Sequence, residues 1–147
     1  MAADSTHPYV HYECSSATFR PQPRYPVRWL DWERDYDLVR TIWPDEVSLS
    51  RETWLEAREL GYRYCAVVEG TRLLAIAAVW CYSGTAWEVA AVRTRPDARR
   101  RGYAHAVVSF VTAYILDSGR RATCTTGLDN AAMQRTAESV GFARIEP

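Results

Sequence analysis

Residues 87–104 read Trp-Glu-Val-Ala-Ala-Val-Arg-Thr-Arg-Pro-Asp-Ala-Arg-Arg-Arg-Gly-Tyr-Ala, and this stretch decides the fold. An apolar start gives way to an arginine-rich loop, and a glycine stands where a helix begins. A helix start carries several backbone N–H groups without intrahelical acceptors, and its aligned peptide dipoles favour an anion. Gly102 lacks a Cβ, so the chain there can approach such an anion closely. From Arg93 to Gly102, five arginines and one aspartate give a local charge of +4. Strand, cationic loop and helix start together predict a phosphate-bearing ligand.

Upstream of this stretch, residues 62–69 and 72–82 are rich in β-branched and aromatic side chains, with Gly70 and Thr71 as a hairpin turn between them. Residues 86–92 complete an antiparallel meander. Downstream, Ala104, Val107, Val108, Val111, Tyr114 and Ile115 line one face of a helix over 103–118, and Gly119 stops it. A strand over 122–126 runs parallel to 86–92 if the helix makes a right-handed crossover. Asn130 or Asp129 caps a last helix, 131–140, closed by Gly141, and 142–145 is a final short strand. At the other end, residues 27–30 predict a first strand. Acidic and apolar residues then mix at helical spacing over 31–42, ending at Pro44, and Ser50 caps a helix over 51–60.

The fold class is therefore α/β (α+β), in the order β-α-α-β-β-β-α-β-α-β, a mixed central sheet with helices on both faces. Its ligand crevice is expected where 86–92 and 122–126 splay apart. Residues 1–26, punctuated by Pro8, Pro21, Pro23 and Pro26, predict an irregular N-terminal extension, leaving 27–147 as a single domain.

A chain of 147 residues can bury about two-thirds of its unfolded surface in one core. Its formal net charge is zero, which leaves no global field to hold nucleic acid. The four cysteines (Cys14, Cys65, Cys81, Cys124) form no Cys-x-x-Cys pair, so neither a zinc site nor a disulfide framework is expected. His7, His11 and Cys14 read as part of a flexible tail rather than as metal ligands. The longest nearly apolar run, 73–82, is too short to span a bilayer, and the first residues lack a signal-peptide pattern. A cytoplasmic protein without membrane or nucleic-acid partners is the expectation.

Arg99-Arg100-Arg101-Gly102-Tyr103-Ala104 fits the Arg/Gln-x-x-Gly-x-Gly/Ala signature of the GNAT acetyltransferase superfamily. Asn130 with Gly141-Phe142 is similar to that superfamily's Asn…Gly-Phe segment. The chain resembles it well over 87–142 and loosely upstream. The resemblance implies acetyl-CoA as co-substrate, its pantetheine arm pairing with the backbone of Val92, Arg93 and Thr94. Arg99, Arg100, Arg101, Gly102, Tyr103 and Ala104 would surround the pyrophosphate. Asn130 would bond the cofactor arm or merely cap its helix. Trp29 and Trp32 would wall the acceptor pocket.

Acetyl transfer to an amine requires the amine neutral, which at pH 7 costs about 4.6 kcal/mol for a pKa of about 10.4. A general base addresses that cost. Glu88 is the candidate: a carboxylate in an apolar strand, sharing a face with Ala90 and Val92, at a place where some GNAT enzymes carry their base. The plainer reading is a strand-end carboxylate in water or paired with an arginine.

Two departures stand out. Many relatives place a tyrosine four residues before the Gly-Phe pair to protonate the leaving thiolate, and here that residue is Ala137. Relatives also end in a β-hairpin for which this chain has too few residues. The missing strand is then supplied by Tyr9–Cys14 or by the neighbouring subunit of a homodimer. The implied function is acetyl-CoA-dependent N-acetyltransfer to a primary amine of a small molecule or peptide, by direct attack on the thioester. The other reading is a non-catalytic acyl-CoA binding module.

Overall fold

In the computed structural model, which describes residues 8–43 and 49–146, the chain forms seven strands and four helices. They are β1 (Tyr9–Cys14), β2 (Arg28–Trp29), α1 (Tyr36–Val39), α2 (Arg51–Glu59), β3 (Tyr62–Glu69), β4 (Arg72–Trp80), β5 (Ala86–Thr94), α3 (Tyr103–Asp117), β6 (Arg121–Gly127), α4 (Ala131–Val140) and β7 (Ala143–Ile145). The strands make one mixed sheet in the order β2-β3-β4-β5-β6-β1-β7. Only β5 and β6 run parallel; every other neighbouring pair is antiparallel. α3 and α4 cover one face over a core that includes Val89, Val107, Val111, Ile115, Cys124 and Val140. α1 and α2 cover part of the other, over Leu30, Trp54, Ala66, Leu73 and Ile76. A fully buried valine or isoleucine such as Val107 or Ile115 contributes about 1.5–3 kcal/mol.

Local signals account for the boundaries. The Ser50 side chain accepts the Thr53 N–H at the start of α2, and Asn130 Oδ1 accepts the Met133 N–H at the start of α4. The expected helix over 31–42 is shorter. Asp31 Oδ2 accepts the N–H groups of Glu33 and Arg34, holding a turn, so the helix begins only at Tyr36 and passes into a 3₁₀ turn at Arg40–Ile42. Pro44, expected to end it, and His7 lie outside the described residues.

The N-terminal extension is not irregular throughout. Tyr9–Cys14 alternates exposed and buried side chains and lies between β6 and β7, antiparallel to both. The place expected for a further hairpin strand beside β7 is thus filled by β1 from within the chain. His11 and Cys14 are not in a tail; they point to opposite faces of β1, which separates them as metal ligands. From β1 the chain crosses over α3 and α4 to reach β2. Arg20 N–H donates to Val140 O (2.8 Å), Gln22 N–H to Ser109 Oγ (2.8 Å) and Gln22 Nε2 to Ser139 O (2.8 Å). Removing residues 1–20 strips β1 and part of this strap. The expected result is loss of cooperative unfolding by circular dichroism; a truncated chain melting as sharply and as high as the full one would show β1 to be dispensable. No helix among the described residues is long and apolar enough to cross a membrane.

Candidate active site

β5 and β6 pair from Ala86↔Arg121 to Val89↔Cys124 and then part, while β5 continues to Thr94 against β4. The expected splay is therefore present. A bulge reinforces it: Ala90 opposes Ala78 and Arg93 opposes Ile76, so Ala91 and Val92 together face Ala77. Ala91 sits in the left-handed region at φ 54°, a conformation that costs an alanine about 1–2 kcal/mol. Arg100, in the loop beyond, is the other non-glycine residue there, at φ 66°. Local strain is concentrated on the two sides of the crevice.

The bulge corrects one expectation. Val92 packs on the α3 side of the sheet, whereas Glu88 and Ala90 face the other way, because the extra residue reverses the alternation after Ala90. Arg93 turns to that second face, donating from Nε to Ile42 O (3.1 Å) with its guanidinium over Trp43. Its side chain is thus committed to the end of the α1 segment, and only its backbone faces the crevice.

The arginine loop forms an open cradle. Among the described residues, no hydrogen bond is made by the backbone N–H groups of residues 99–105, seven donors in succession at the start of α3. Gly102 holds φ 89° as the residue before the helix, and Arg99, Arg100 and Arg101 are exposed without ion pairs among the described residues. Two residues of the strap close over this loop. Tyr25 Oη donates to Arg101 O (2.6 Å) and its ring packs on Tyr103 at 4.4 Å. Arg24 Nη1 lies 3.3 Å from where a Cβ on Gly102 would stand. Sequence reading missed both, since nothing in a proline-punctuated segment signals which loop it will cross.

Glu88 lies one residue before the last β5–β6 pair, on the face away from α3. It lines a cavity of about 270 Å³ with His11, Glu13, Tyr82, Arg121, Thr123 and Thr125. Burial pushes its carboxyl above the usual value of 4.5, partly offset by the Thr123 hydroxyl (3.4 Å) and by His11. Tyr82 Oη lies 3.2 Å from Thr123 Oγ1, so phenol, hydroxyl and carboxylate form a chain. A half-buried carboxylate with a raised pKa beside an open cavity is equipped to accept a proton.

The other expected residues divide. Trp32 lies on the Glu88 side of the sheet, its ring 4.5 Å from Trp54 and 5.8 Å from Tyr64. Trp29 does not: it packs edge-on to Phe110 and Tyr114 of α3, under the Arg63 guanidinium. β2 is two residues long and Trp29 points to its opposite face, so it is core rather than pocket wall. The Asn130 side chain caps α4. Ala137 is fully buried, and Tyr12, the phenol reaching α4, donates to Glu138 (2.9 Å); burial and that carboxylate hold its pKa up at about 12.

A strand that parts from its parallel neighbour, followed by an arginine-rich loop at a helix start, is the arrangement that the resemblance to the GNAT acetyltransferases implied. The FR47-like protein family model matches residues 67–147, more than half of the chain, and the chain belongs to that GNAT-related family. Solved structures agree on the fold. A GNAT-family protein from Novosphingobium aromaticivorans is similar over 94% of this chain with a TM-score of 0.73 and 21% identity. One from Colwellia psychrerythraea is similar over 92% with a TM-score of 0.75 and 14% identity. This chain spans 60% and 52% of the lengths of those two proteins. The aminoglycoside N-acetyltransferase AAC(6')-Iy, solved with a CoA bisubstrate analog, is similar over 83% of this chain and 92% of its own, with a TM-score of 0.65 and 17% identity. No curated protein sequence matches the chain.

Proposed function

We propose that the protein is an acetyl-CoA-dependent N-acetyltransferase acting on a primary amine. The observation that carries this reading is the conjunction of the β5–β6 splay, the free N–H groups of residues 99–105, and Glu88 beside the apex of the splay. Acetyl-CoA supplies an acetyl group activated as a thioester. The backbone of Val92, Arg93 and Thr94 borders the splay and pairs with the pantetheine arm as an added strand. Arg99, Arg100, Arg101, Gly102, Tyr103 and Ala104 receive the diphosphate, and Arg24 adds a further guanidinium from the strap. One helix N-terminus gives an anion only about 0.3–1 kcal/mol, so the arginines have to contribute as charged partners.

Glu88 takes one proton of the incoming ammonium; the N–C bond forms as the C–S bond breaks, and the nitrogen releases its second surplus proton to solvent. A backbone N–H of residues 92–94 steadies the carbonyl oxygen as it gains charge. The departing thiolate, with a pKa of about 8.5, takes its proton from solvent, which compensates for alanine at 137. All four cysteine thiols are pushed up by burial, Cys124 to about 12, so none is primed as a nucleophile, and this supports direct transfer over an acyl-cysteine route.

Calorimetric titration with CoA and acetyl-CoA tests the reading. Micromolar binding is expected, about tenfold weaker in Arg24→Ala, the loss of one charge-assisted contact of about 1.5 kcal/mol. Absence of any heat or thermal stabilisation with either compound would refute it.

A further inference from the structure

On the face that carries Glu88, one row of directly opposed residues crosses five strands: Tyr62, Trp80, Glu88, Thr123 and Glu13. The Tyr62 and Trp80 rings are parallel within 3° at 5.5 Å, and Tyr82 lies against Trp80 at 5.2 Å. Tyr82 is 43% exposed, and its hydroxyl reaches Thr123, so its ring leans across β5 toward Glu88. Behind Tyr62 the rings continue through Tyr64 and Trp54 to Trp32. In the next row Ala78 and Ala90 present only methyl groups between Glu88 and the crevice. One side of the carboxylate is therefore an aromatic wall ending in an open ring.

Charge narrows the ligand further. Among the described residues, the carboxylates lining the cavity are Glu88 and Glu13, and Glu13 is paired with Arg121. That leaves one uncommitted anion for one ammonium. A polycation would set its remaining ammonium groups beside Arg121 without countercharge. At about 270 Å³ the cavity also falls below the roughly 300–1,000 Å³ typical of drug-sized ligands.

Resting on the acetyl-transfer reading, we propose that the acceptor is an arylalkylamine, a primary amine one or two methylenes from a single aromatic ring. The ring packs on Tyr82 and Trp80 while the ammonium reaches Glu88. Offset or edge-to-face aromatic contact adds to plain area burial, so the aromatic amine is favoured over a saturated one of the same shape.

Thiol release by the full chain, with phenethylamine, tyramine, cyclohexylethylamine and kanamycin as acceptors, tests this. The expected kcat/KM for phenethylamine exceeds that for cyclohexylethylamine by roughly tenfold, with kanamycin the poorest. Tyr82→Ala is expected to raise the phenethylamine KM by roughly tenfold with little change in kcat, and Tyr82→Phe, which keeps the ring, to restore it. Kanamycin as the best acceptor, or an unchanged KM in Tyr82→Ala, overturns the arylalkylamine assignment and leaves acetyl transfer standing. Failure to bind acetyl-CoA in the calorimeter overturns the parent reading and this one with it.

Discussion

Glu88→Gln is expected to lower kcat by about 10²–10⁴-fold while acetyl-CoA affinity stays within error. Glutamine keeps the shape and the contact with Thr123 but removes the proton acceptor. The fold should not suffer. Burial raises the folded-state pKa of Glu88, so its stability contribution is full below the unfolded pKa and lost as pH rises through the folded one. At pH 7 the ionised carboxylate is a burden, and the neutral isostere melts no lower than wild type. Wild-type kcat/KM should fall as pH drops through a pKa above the ordinary carboxylate value, and the variant should lose that acid limb. A variant with wild-type turnover would assign the proton removal to a different base, whereas acetyl-CoA binding without turnover in the wild type would leave the non-catalytic acyl-CoA binding module.

Gly141→Ala is the substitution with the largest expected effect on stability. Gly141 closes α4 at φ 110°, and a Cβ there would stand 2.2 Å from Thr18 O, 2.9 Å from Thr18 C and 3.0 Å from Phe19 Cα. All three are backbone atoms, so no side-chain rotation relieves the clash, and the strap has to move. With it go the bond from Arg20 to Val140 O and the seating of Arg24 and Tyr25 over the arginine loop. A loss of about 4 kcal/mol is expected, lowering Tm by roughly 10 °C, with weaker CoA binding in parallel. Gly70→Ala is the control: its φ of 64° is strained for alanine, but nothing lies within 4 Å. That variant should lose only about 1 kcal/mol. Equal melting of the two variants would mean that the strap is not held as described.

Much of this was legible in the sequence because the signals are local. The β3–β4 hairpin at Gly70, the caps at Ser50 and Asn130, and the stop at Gly141 each depend on residues a few positions apart. What could not be read depends on partners far along the chain. Tyr9–Cys14 alternates like a strand, but only the presence of β6 and β7 on either side makes it one. The bulge at Ala91 has no glycine to announce it, so the reversal that separates Val92 from Glu88 was invisible. Trp29 and Trp32 looked equivalent, but they lie three residues apart at the end of β2, and the alternation of extended chain sends them to opposite faces of the sheet. The row from Tyr62 to Glu13 exists only once the register of five strands is known.

The position of β1 also bears on how the polypeptide matures. Its first residue, Tyr9, pairs with Gly127, and His11 with Ile145, so β1 waits for strands made long after it. Until β6 and β7 have left the ribosome, β1 has no partner, while the β3–β4–β5 meander can already collapse. Such distant pairing slows folding, and it places the closing of the sheet, together with the delivery of His11 and Glu13 to the cavity, after the meander has formed.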